Sequence, residues 1–215
     1  KLGYNVVVSK CFESGRTYLS KGLLKKARKI AEKNVFYFEK FISENIPLIG
    51  IEPSAILTFR DEYPEIVRNE LKDNARLLSL YTFMFDEFFM SEVQKGNIKK
   101  ESFTGKELKI KLHGHCQQKA VASTNPTKLM LSFPENYSVE EMPSGCCGMA
   151  GSFGYEKEHY DISMKVGNLV LFPEINNTSA EVEIAATGTS CRCQIKDGTG
   201  KTARHPVEIL WESLK

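Results

Sequence analysis

Cysteine is the residue type with the most distinctive chemistry in this chain. The 215 residues include six cysteines, and five of them fall between positions 116 and 193. Iron–sulfur clusters and zinc both select soft thiolate ligands, and neither needs ligands that are close in sequence. We therefore predict a metal site whose main ligands are four thiols: Cys116, Cys146, Cys147 and Cys191.

The number and spacing of the cysteines argue against a disulfide framework. Six cysteines in 215 residues are too sparse for such a scaffold, which is a device of much shorter secreted chains. The neighbours Cys146 and Cys147 could close only a strained ring. A reduced, cytosolic, metal-binding chain fits the pattern better. Any single cysteine can also be a small buried apolar residue, and Cys11, which lies apart, is interpreted as a bystander.

Glycines follow the vicinal cysteine pair at regular intervals. Gly148, Gly151 and Gly154 predict a loop without side chains that would block the close approach of a bulky cofactor. A helix expected to begin near Tyr155 would direct its N–H groups toward this loop and lower the pKa of the thiols. The same glycines could bind a nucleotide phosphate, although their spacing is not that of a dinucleotide fingerprint.

Two further residues stand beside the predicted ligands. His115 precedes Cys116 and is a candidate ligand or hydrogen-bond donor to the site, with a backbone-bonded structural histidine as the alternative. Ser190 precedes Cys191 in a small-residue turn at the start of a short helix, so it is a candidate cofactor contact. His113 is interpreted as a packed or solvated residue.

Short apolar runs alternate with longer amphipathic runs, which is typical of an α/β fold with mainly parallel sheets. The predicted strands are Asn5–Val8, Pro47–Ile51, Leu108–Leu112 and Val182–Ala186. The predicted helices are Lys21–Glu44, Ser54–Val67, Leu71–Val93, Tyr155–Phe172 and Pro206–Leu214. Loops at the carboxyl ends of parallel strands converge on one edge, so distant cysteines in such loops can meet there.

An internal repeat divides the sequence. The turns at Gly15 and Gly148 each precede a long helical run and then a strand that ends in small residues. We interpret residues 1–97 and 98–215 as two pseudo-repeated βαβ-type halves, joined by a polar linker at Gln94–Gly105. The first half lacks the corresponding thiols, so we expect one metal site, in loops at the carboxyl ends of strands of the second half.

Composition excludes several classes of function. A net charge of +2 is too small to suggest a nucleic-acid partner. No apolar stretch approaches the roughly 18 residues of a membrane span, and there is no secretory signal. Residue 1 is Lys, and a predicted strand is already under way at Asn5, so we expect the chain to be a piece of something longer.

Several motifs together resemble the cysteine-rich CCG domain, a family named for the signature seen here as Cys146-Cys147-Gly148. The family occurs in heterodisulfide reductase, in iron–sulfur subunits of glycolate oxidase and anaerobic glycerol-3-phosphate dehydrogenase, and at the carboxyl end of fused FAD-linked dehydrogenases. The chain is most similar to the fused group, which includes D-lactate, glycolate and other 2-hydroxyacid dehydrogenases. The segments that carry the resemblance are Ser14–Leu24, Gly50–Ser54, His113–Cys116, Gly145–Tyr155 and Gly188–Gly200.

The resemblance implies a set of ligands and a cofactor. The family motif supplies a lone cysteine, a vicinal pair and a final Cys-x-x-Cys, which together hold a noncubane 4Fe–4S cluster. The fifth cysteine would fall at position 194, which is Gln194, while Cys193 lies one residue short. A four-ligand cluster, a contribution from Cys193 or His115, and a zinc ion therefore all stay open.

The resemblance also implies a role. It indicates an electron-transfer domain of a larger oxidoreductase that acts on a 2-hydroxyacid, with FAD and ferredoxin-type clusters in upstream domains of the parent protein. No catalytic residue is assigned, and this polypeptide alone is not expected to turn over substrate. The implied location is cytoplasmic, with a peripheral position at the inner membrane face through the parent complex. The alternatives are a structural zinc module between domains and thiol redox chemistry at Cys146 and Cys147.

Overall fold

The structure of the protein is a computed structural model, which describes residues 1–9 and 13–215. The chain forms two compact units: Gly3–Phe85, and Asp86–Lys215 together with Lys1 and Leu2. Helices alternate with parallel strands in both, so the predicted α/β class is confirmed. Cys11, interpreted above as a bystander, lies outside the described residues. Within the described residues no helix combines the length and apolar character that a bilayer crossing requires.

The first unit is mainly helical. Its helices are α1 (Arg16–Ser20), α2 (Leu24–Phe38), α3 (Pro53–Arg60), α4 (Tyr63–Ile66) and α5 (Lys72–Leu80). Its two strands, β1 (Leu48–Gly50) and β2 (Thr82–Met84), pair in parallel. Helix α2 buries Ala27, Ala31 and Val35, whose four-residue spacing places them on one face against the core.

Tyr63 holds the centre of this unit together. Its ring is fully buried among the aromatic and aliphatic side chains of α2, α3 and α5. Its hydroxyl accepts a hydrogen bond from Asn34 Nδ2 at 2.7 Å and donates one to the carbonyl of Ser14 at 2.8 Å. Burial, only partly offset by the bond from Asn34, raises the pKa of this phenol, so the group stays neutral.

The structure corrects three predictions in the first 85 residues. Asn5–Val8 forms no strand, and Val6, Val7 and Val8 are 76% to 90% exposed. Valine runs favour a strand only where a partner strand is available. The predicted helix Ser54–Val67 is two helices, α3 and α4, and strand β2 interrupts the predicted helix Leu71–Val93. The prediction of a strand at Pro47–Ile51 is confirmed by β1.

The second unit contains a three-stranded sheet covered by helices. Its strands are β3 (Leu108–His113), β4 (Tyr137–Glu141) and β5 (Val182–Ala186). Helix α6 (Phe85–Gln94) begins at the boundary between the units. The helices that follow are α7 (Cys116–Val121), α8 (Asn125–Leu131), α9 (Tyr160–Gly167), α10 (Leu171–Asn176), α11 (Thr189–Thr199) and α12 (Pro206–Ser213).

The sheet has the order β4-β3-β5, and both pairings are parallel. Leu112 pairs with Glu141, and His113 pairs with Ala186, so the three strands end at the same level. Because parallel strands in register end at one edge, the three loops that follow them start side by side. These are the loops that contain the predicted ligands.

The two faces of the sheet bury different cores. One core contains Ile110, Leu112 and Ala185 together with Leu131 of α8 and Ile209 of α12. The other core contains apolar side chains of the loop after β4 and of β5, α10 and α11, and it includes two of the cysteines. Its members are Met142, Cys147, Met149, Leu171, Phe172, Ile175, Ile184, Ala186, Cys191, Ile195 and Ala203. The predicted metal site is thus part of a packed core.

Other predictions in the second unit had mixed outcomes. The strands at 108–112 and 182–186 and the helix at 206–214 are confirmed, with small changes of boundary. The predicted linker Gln94–Gly105 lies inside the second unit and buries Ile98 and Phe103. The division into diverged copies at 97 and 98 stays a prediction.

Candidate metal centre

The first predicted ligand is positioned by the end of β3 and the start of α7. Cys116 is the first residue of α7, and His115 is its N-cap. The Nδ1 atom of His115 accepts a hydrogen bond from the backbone N–H of Gln117 at 3.1 Å. This bond satisfies one of the free N–H groups of the helix and fixes the orientation of the imidazole ring.

The vicinal pair lies in the loop after β4. Gly148 has a φ of 102°, which L side chains rarely adopt, and a Cβ atom on it would overlap the carbonyl oxygen of Ser163. The loop turns back on itself at this glycine, so that the N–H of Gly148 lies 3.3 Å from the sulfur of Cys146. A glycine is therefore required next to the vicinal pair.

This requirement gives a testable prediction. Gly148→Ala should lower the free energy of unfolding by about 2 kcal/mol or more, because the methyl group meets a backbone oxygen at a left-handed φ. Gly145→Ala is the matched control, since a Cβ atom there has nothing within 4 Å. Denaturant unfolding followed by circular dichroism measures both variants. Equal stability of the two variants would contradict the assigned loop conformation.

The last predicted ligand lies at the start of α11. Cys191 is in the first turn of this helix, which begins after the β5 loop. A Cβ atom on Gly188 would lie 2.9 Å from His115 Nε2 and 3.3 Å from Cys191 Sγ. The absence of a side chain at Gly188 therefore lets the imidazole and the thiol pack against the loop.

The structure brings the four predicted thiols together. Cys116 is within hydrogen-bonding contact of Cys146, Cys146 of Cys147, and Cys147 of Cys191. Among the described residues, the group whose ligand atoms all lie within 4.8 Å of one another contains Cys147, Cys191 and His113, and Cys146 and Cys116 extend from it toward the surface. Cys147 and Cys191 are 3% and 1% exposed, Cys146 is half-buried, and Cys116 is exposed. Residues separated by 75 positions in the sequence thus meet at one edge of the sheet.

Two of the sulfurs accept hydrogen bonds and are favoured as thiolates. Hydrogen bonds from Cys116 and then from Cys147 lower the pKa of Cys146 to about 2, with a further contribution from N–H groups of its own loop. The bond from Cys147 lowers the pKa of Cys191 in the same way. Donation to these acceptors raises the pKa of Cys116 and Cys147. These shifts favour the thiolate, which is the form that binds metals, at Cys146 and Cys191, and the neutral thiol at Cys116 and Cys147.

His113 also belongs to the site, and sequence reasoning missed it. One nitrogen of its ring and the sulfur atoms of Cys147 and Cys191 all lie within 4.8 Å of one another. The residue is 1% exposed, and its Nδ1 atom is 2.7 Å from the hydroxyl oxygen of Ser144. The interpretation of His113 as packed is right, but its ring faces the thiols. Its position as the last residue of the strand before Cys116 was the available signal.

Cys193 is not part of this group. It is exposed on α11, two positions after Cys191, which places it roughly 200° around the helix axis. Gln194 is one turn from Cys191 and is 3% exposed. Its Nε2 atom donates to the carbonyl and the hydroxyl oxygens of Ser163 at 3.2 and 3.0 Å. A carboxamide therefore occupies the buried position at which the resemblance calls for a fifth thiol.

The remaining predicted cofactor contacts, Gly151, Gly154 and Ser190, differ in their burial. Gly154 is buried, and a Cβ atom there would lie 2.7 Å from Met149 Sδ. Gly151 has a φ of 70° at the outer bend of the loop, and Ser190 is half-buried in the first turn of α11. The expectation of a helix from Tyr155 is wrong, because two 3-10 turns come first and α9 begins at Tyr160. The N–H groups near Cys146 belong to its own loop.

The chain has sequence relatives among dehydrogenases. It is 28% identical over 218 residues to a D-2-hydroxyglutarate dehydrogenase of Haemophilus influenzae, in a match that covers 100% of this chain and 21% of that protein. It is 27% identical over 201 residues to one subunit of the anaerobic glycerol-3-phosphate dehydrogenase of Escherichia coli, covering 93% of this chain and 49% of that polypeptide. The D-2-hydroxyglutarate dehydrogenase of Escherichia coli is 27% identical over 216 residues and is covered to 20%.

These matches extend over nearly the whole chain, so its relatives are oxidoreductases. The chain spans about a fifth of the length of the D-2-hydroxyglutarate dehydrogenases and about half of the matched glycerol-3-phosphate dehydrogenase polypeptide. No family model matches the chain. No solved structure gives a significant match.

The donor set fits a thiophilic metal group. Four sulfurs and one imidazole nitrogen are soft or intermediate ligands of the kind that zinc and iron–sulfur clusters select. Within the described residues, His113 Nε2 is a buried nitrogen that makes no hydrogen bond of normal geometry. A bound metal would supply the missing interaction, so the residues present can hold such a group.

Proposed function

We propose that this chain is an electron-transfer region of a larger FAD-linked oxidoreductase and that its thiols hold an iron–sulfur cluster. The convergence of Cys116, Cys146, Cys147 and Cys191 at one edge of the second sheet carries the proposal. The similarity to dehydrogenases supports it, because a cluster in such a protein would pass electrons singly between a flavin and an acceptor.

The chain's own residues have definite parts in this proposal. Cys147 and Cys191 anchor the cofactor in the core, and Cys146 and Cys116 close it toward the surface. The lowered pKa values of Cys146 and Cys191 favour the ligating thiolates before the cofactor binds. Burial sets a low dielectric around the site, and burial is one of the factors that fix a cluster's reduction potential.

The identity of the parent protein is part of the proposal. The resemblance to the CCG domain and the sequence relatives both favour a parent that oxidises a 2-hydroxyacid, with FAD and ferredoxin-type clusters in other domains. A single metal site in the second unit agrees with a domain that passes electrons on, while the substrate is oxidised in another domain of the parent protein. The cofactor that best fits the resemblance is a 4Fe–4S cluster.

A structural zinc site is the second candidate. The group formed by His113, Cys147 and Cys191 has the mixed nitrogen and sulfur composition of structural zinc sites, and Cys146 could complete a tetrahedron. Such a site would stabilise the fold without carrying electrons. The two candidates differ in colour, in sulfide content and in response to reductant.

Metal analysis of the chain expressed and purified without oxygen tests the proposal. We expect a brown protein with several irons and a similar amount of acid-labile sulfide per chain, and a visible band that bleaches on reduction. Electron paramagnetic resonance in either the oxidised or the reduced state should detect the cluster. A colourless protein with one zinc and no sulfide would overturn the electron-transfer proposal and favour the structural site.

A further inference from the structure

We propose that His113 is a ligand of the metal group, through Nε2, and that it supplies from another side the fifth donor that position 194 lacks. The inference rests on the proposed function, because it concerns the same site. It extends the ligand set beyond cysteine and assigns a role to a residue that the sequence motifs do not include.

His113 has a buried ring nitrogen without a well-formed hydrogen bond. The residue is 1% exposed, and among the described residues its Nε2 atom makes no hydrogen bond of normal geometry, although it lies close enough to Cys191 to stabilise a thiolate there. Leaving a buried polar nitrogen in this state costs about 1–3 kcal/mol, so most such groups in native proteins are paired. A metal that binds to this nitrogen would remove the cost. The residue faces the two most deeply buried thiols of the site, those of Cys147 and Cys191.

The distances within the group suit a shared metal group. The His113 nitrogen and the sulfurs of Cys147 and Cys191 all lie within 4.8 Å of one another. Ligands of one tetrahedral ion lie roughly 3.6 Å apart, and ligands bound to different irons of one cluster lie further apart, so these three atoms are close enough to bind either group. Gln194, at the place of the fifth thiol, cannot serve in the same way because its amide already bonds Ser163.

The other ring nitrogen of His113 has a buried partner. His113 Nδ1 lies 2.7 Å from Ser144 Oγ, and Ser144 is itself buried. The carbonyl of Ser144 accepts a hydrogen bond from Lys119 Nζ at 2.9 Å, which holds this residue in place. A histidine that binds a metal usually donates its second N–H to an oxygen in this manner. In the tautomer whose Nδ1–H donates to Ser144, the lone pair is on Nε2, the ring nitrogen left to face the thiols.

The neighbouring histidine does not have this property. His115 Nδ1 accepts a hydrogen bond from the N–H of Gln117, so the proton of its neutral ring is on Nε2. His115 can donate a hydrogen bond toward sulfur, but ligation through Nε2 would require a second tautomer that breaks the helix cap. The two histidines are therefore assigned different roles: ligation for His113 and hydrogen bonding for His115.

Pulsed electron paramagnetic resonance of the cluster tests the inference in the 215-residue chain. We expect nitrogen hyperfine coupling from a directly bonded imidazole. Labelling the histidines with nitrogen-15 should change the pattern of this coupling to that of the heavier isotope. The coupling should disappear in His113→Gln and persist in His115→Asn, which keeps a good helix-capping residue. His113→Cys is the second variant, since a thiolate in place of the imidazole should retain iron while the nitrogen signal is lost.

The outcomes separate this inference from the proposed function. A cluster of full iron content that shows no directly bonded nitrogen, or one whose coupling survives in His113→Gln, overturns the role of His113 and leaves the cluster in place. If the wild-type chain holds zinc, X-ray absorption at the zinc edge should show a nitrogen neighbour that His113→Gln removes. A wild-type chain that binds no metal would overturn both proposals.

Discussion

Changing Cys191 to serine should abolish metal loading, whereas the same change at Cys193 should leave it intact. Cys191 is 1% exposed and contacts the thiol of Cys147, while Cys193 is exposed on the opposite side of α11. Serine has nearly the same size as cysteine, but its hydroxyl is a poor ligand for a soft metal. We expect the metal content of Cys191→Ser to fall at least tenfold and that of Cys193→Ser to stay at the wild-type level.

Metal and sulfide analysis of the two variants, prepared side by side without oxygen, measures this effect. Circular dichroism must show that both variants are folded, so that loss of metal is not loss of structure. Full loading of Cys191→Ser would rule out the four-thiol site. Loss of metal in Cys193→Ser would show that α11 presents both cysteines to the metal, against the helix phase described above.

Asp86→Ala should cause a large loss of stability at a position outside the metal site. Asp86 is buried at the start of α6, and one carboxylate oxygen accepts hydrogen bonds from Gln118 Nε2 at 3.2 Å and from the hydroxyl of Thr127. The other accepts from the N–H of Glu87 at 2.9 Å. Removal of the carboxylate leaves a small cavity and buried donors without an acceptor. We expect a loss of about 2–4 kcal/mol in mildly acidic buffer.

The effect of Asp86 should depend on pH in a definite direction. Burial raises the pKa of its carboxyl above the ordinary 3.8, against the lowering effect of the bond from Thr127. A group whose pKa is higher in the folded state contributes its full stabilisation below the unfolded pKa and loses it as pH rises through the folded pKa. The stability difference between wild type and Asp86→Ala should therefore shrink as pH rises.

Denaturant unfolding at a series of pH values measures this difference. Asp73→Ala is the control, because the side chain of Asp73 is 94% exposed and its ion pair with Arg76 is a long one. We expect its stability to stay within about 0.5 kcal/mol of wild type at every pH. A difference for Asp86→Ala that grows with pH would show that the ionised carboxylate is the favoured form in the folded chain.

The sequence was sufficient for those features that depend on pattern. The alternation of apolar and polar residues located β5 at Val182–Ala186, and the convergence of Cys116 with Cys191 followed from parallel topology alone. Strand β2 was missed because the apolar run around Phe83 fits a helix or a strand equally well. The valines near the start of the chain have strand propensity, which cannot say whether a partner strand exists.

The parts of the site that escaped prediction depend on the direction of individual side chains. The position of His113 beside the thiols depends on which face of β3 its side chain points from. Predicting that face requires the exact end of the strand. The exclusion of Cys193 follows from the rotational phase of α11, which only the first helical residue fixes. Spacing in sequence therefore predicted the set of four thiols, and backbone geometry was needed to place their neighbours.

The unequal burial of the four thiols gives the site a closed inner side and an open outer side. Cys147 and Cys191 lie in the core, and Cys116 lies at the surface. A group held by these thiols would be nearest to solvent on the side of Cys116 and Cys146, and molecular oxygen or a chelator would approach it from that side. A redox partner that binds over Cys116 would therefore both receive electrons and shield the site from oxygen.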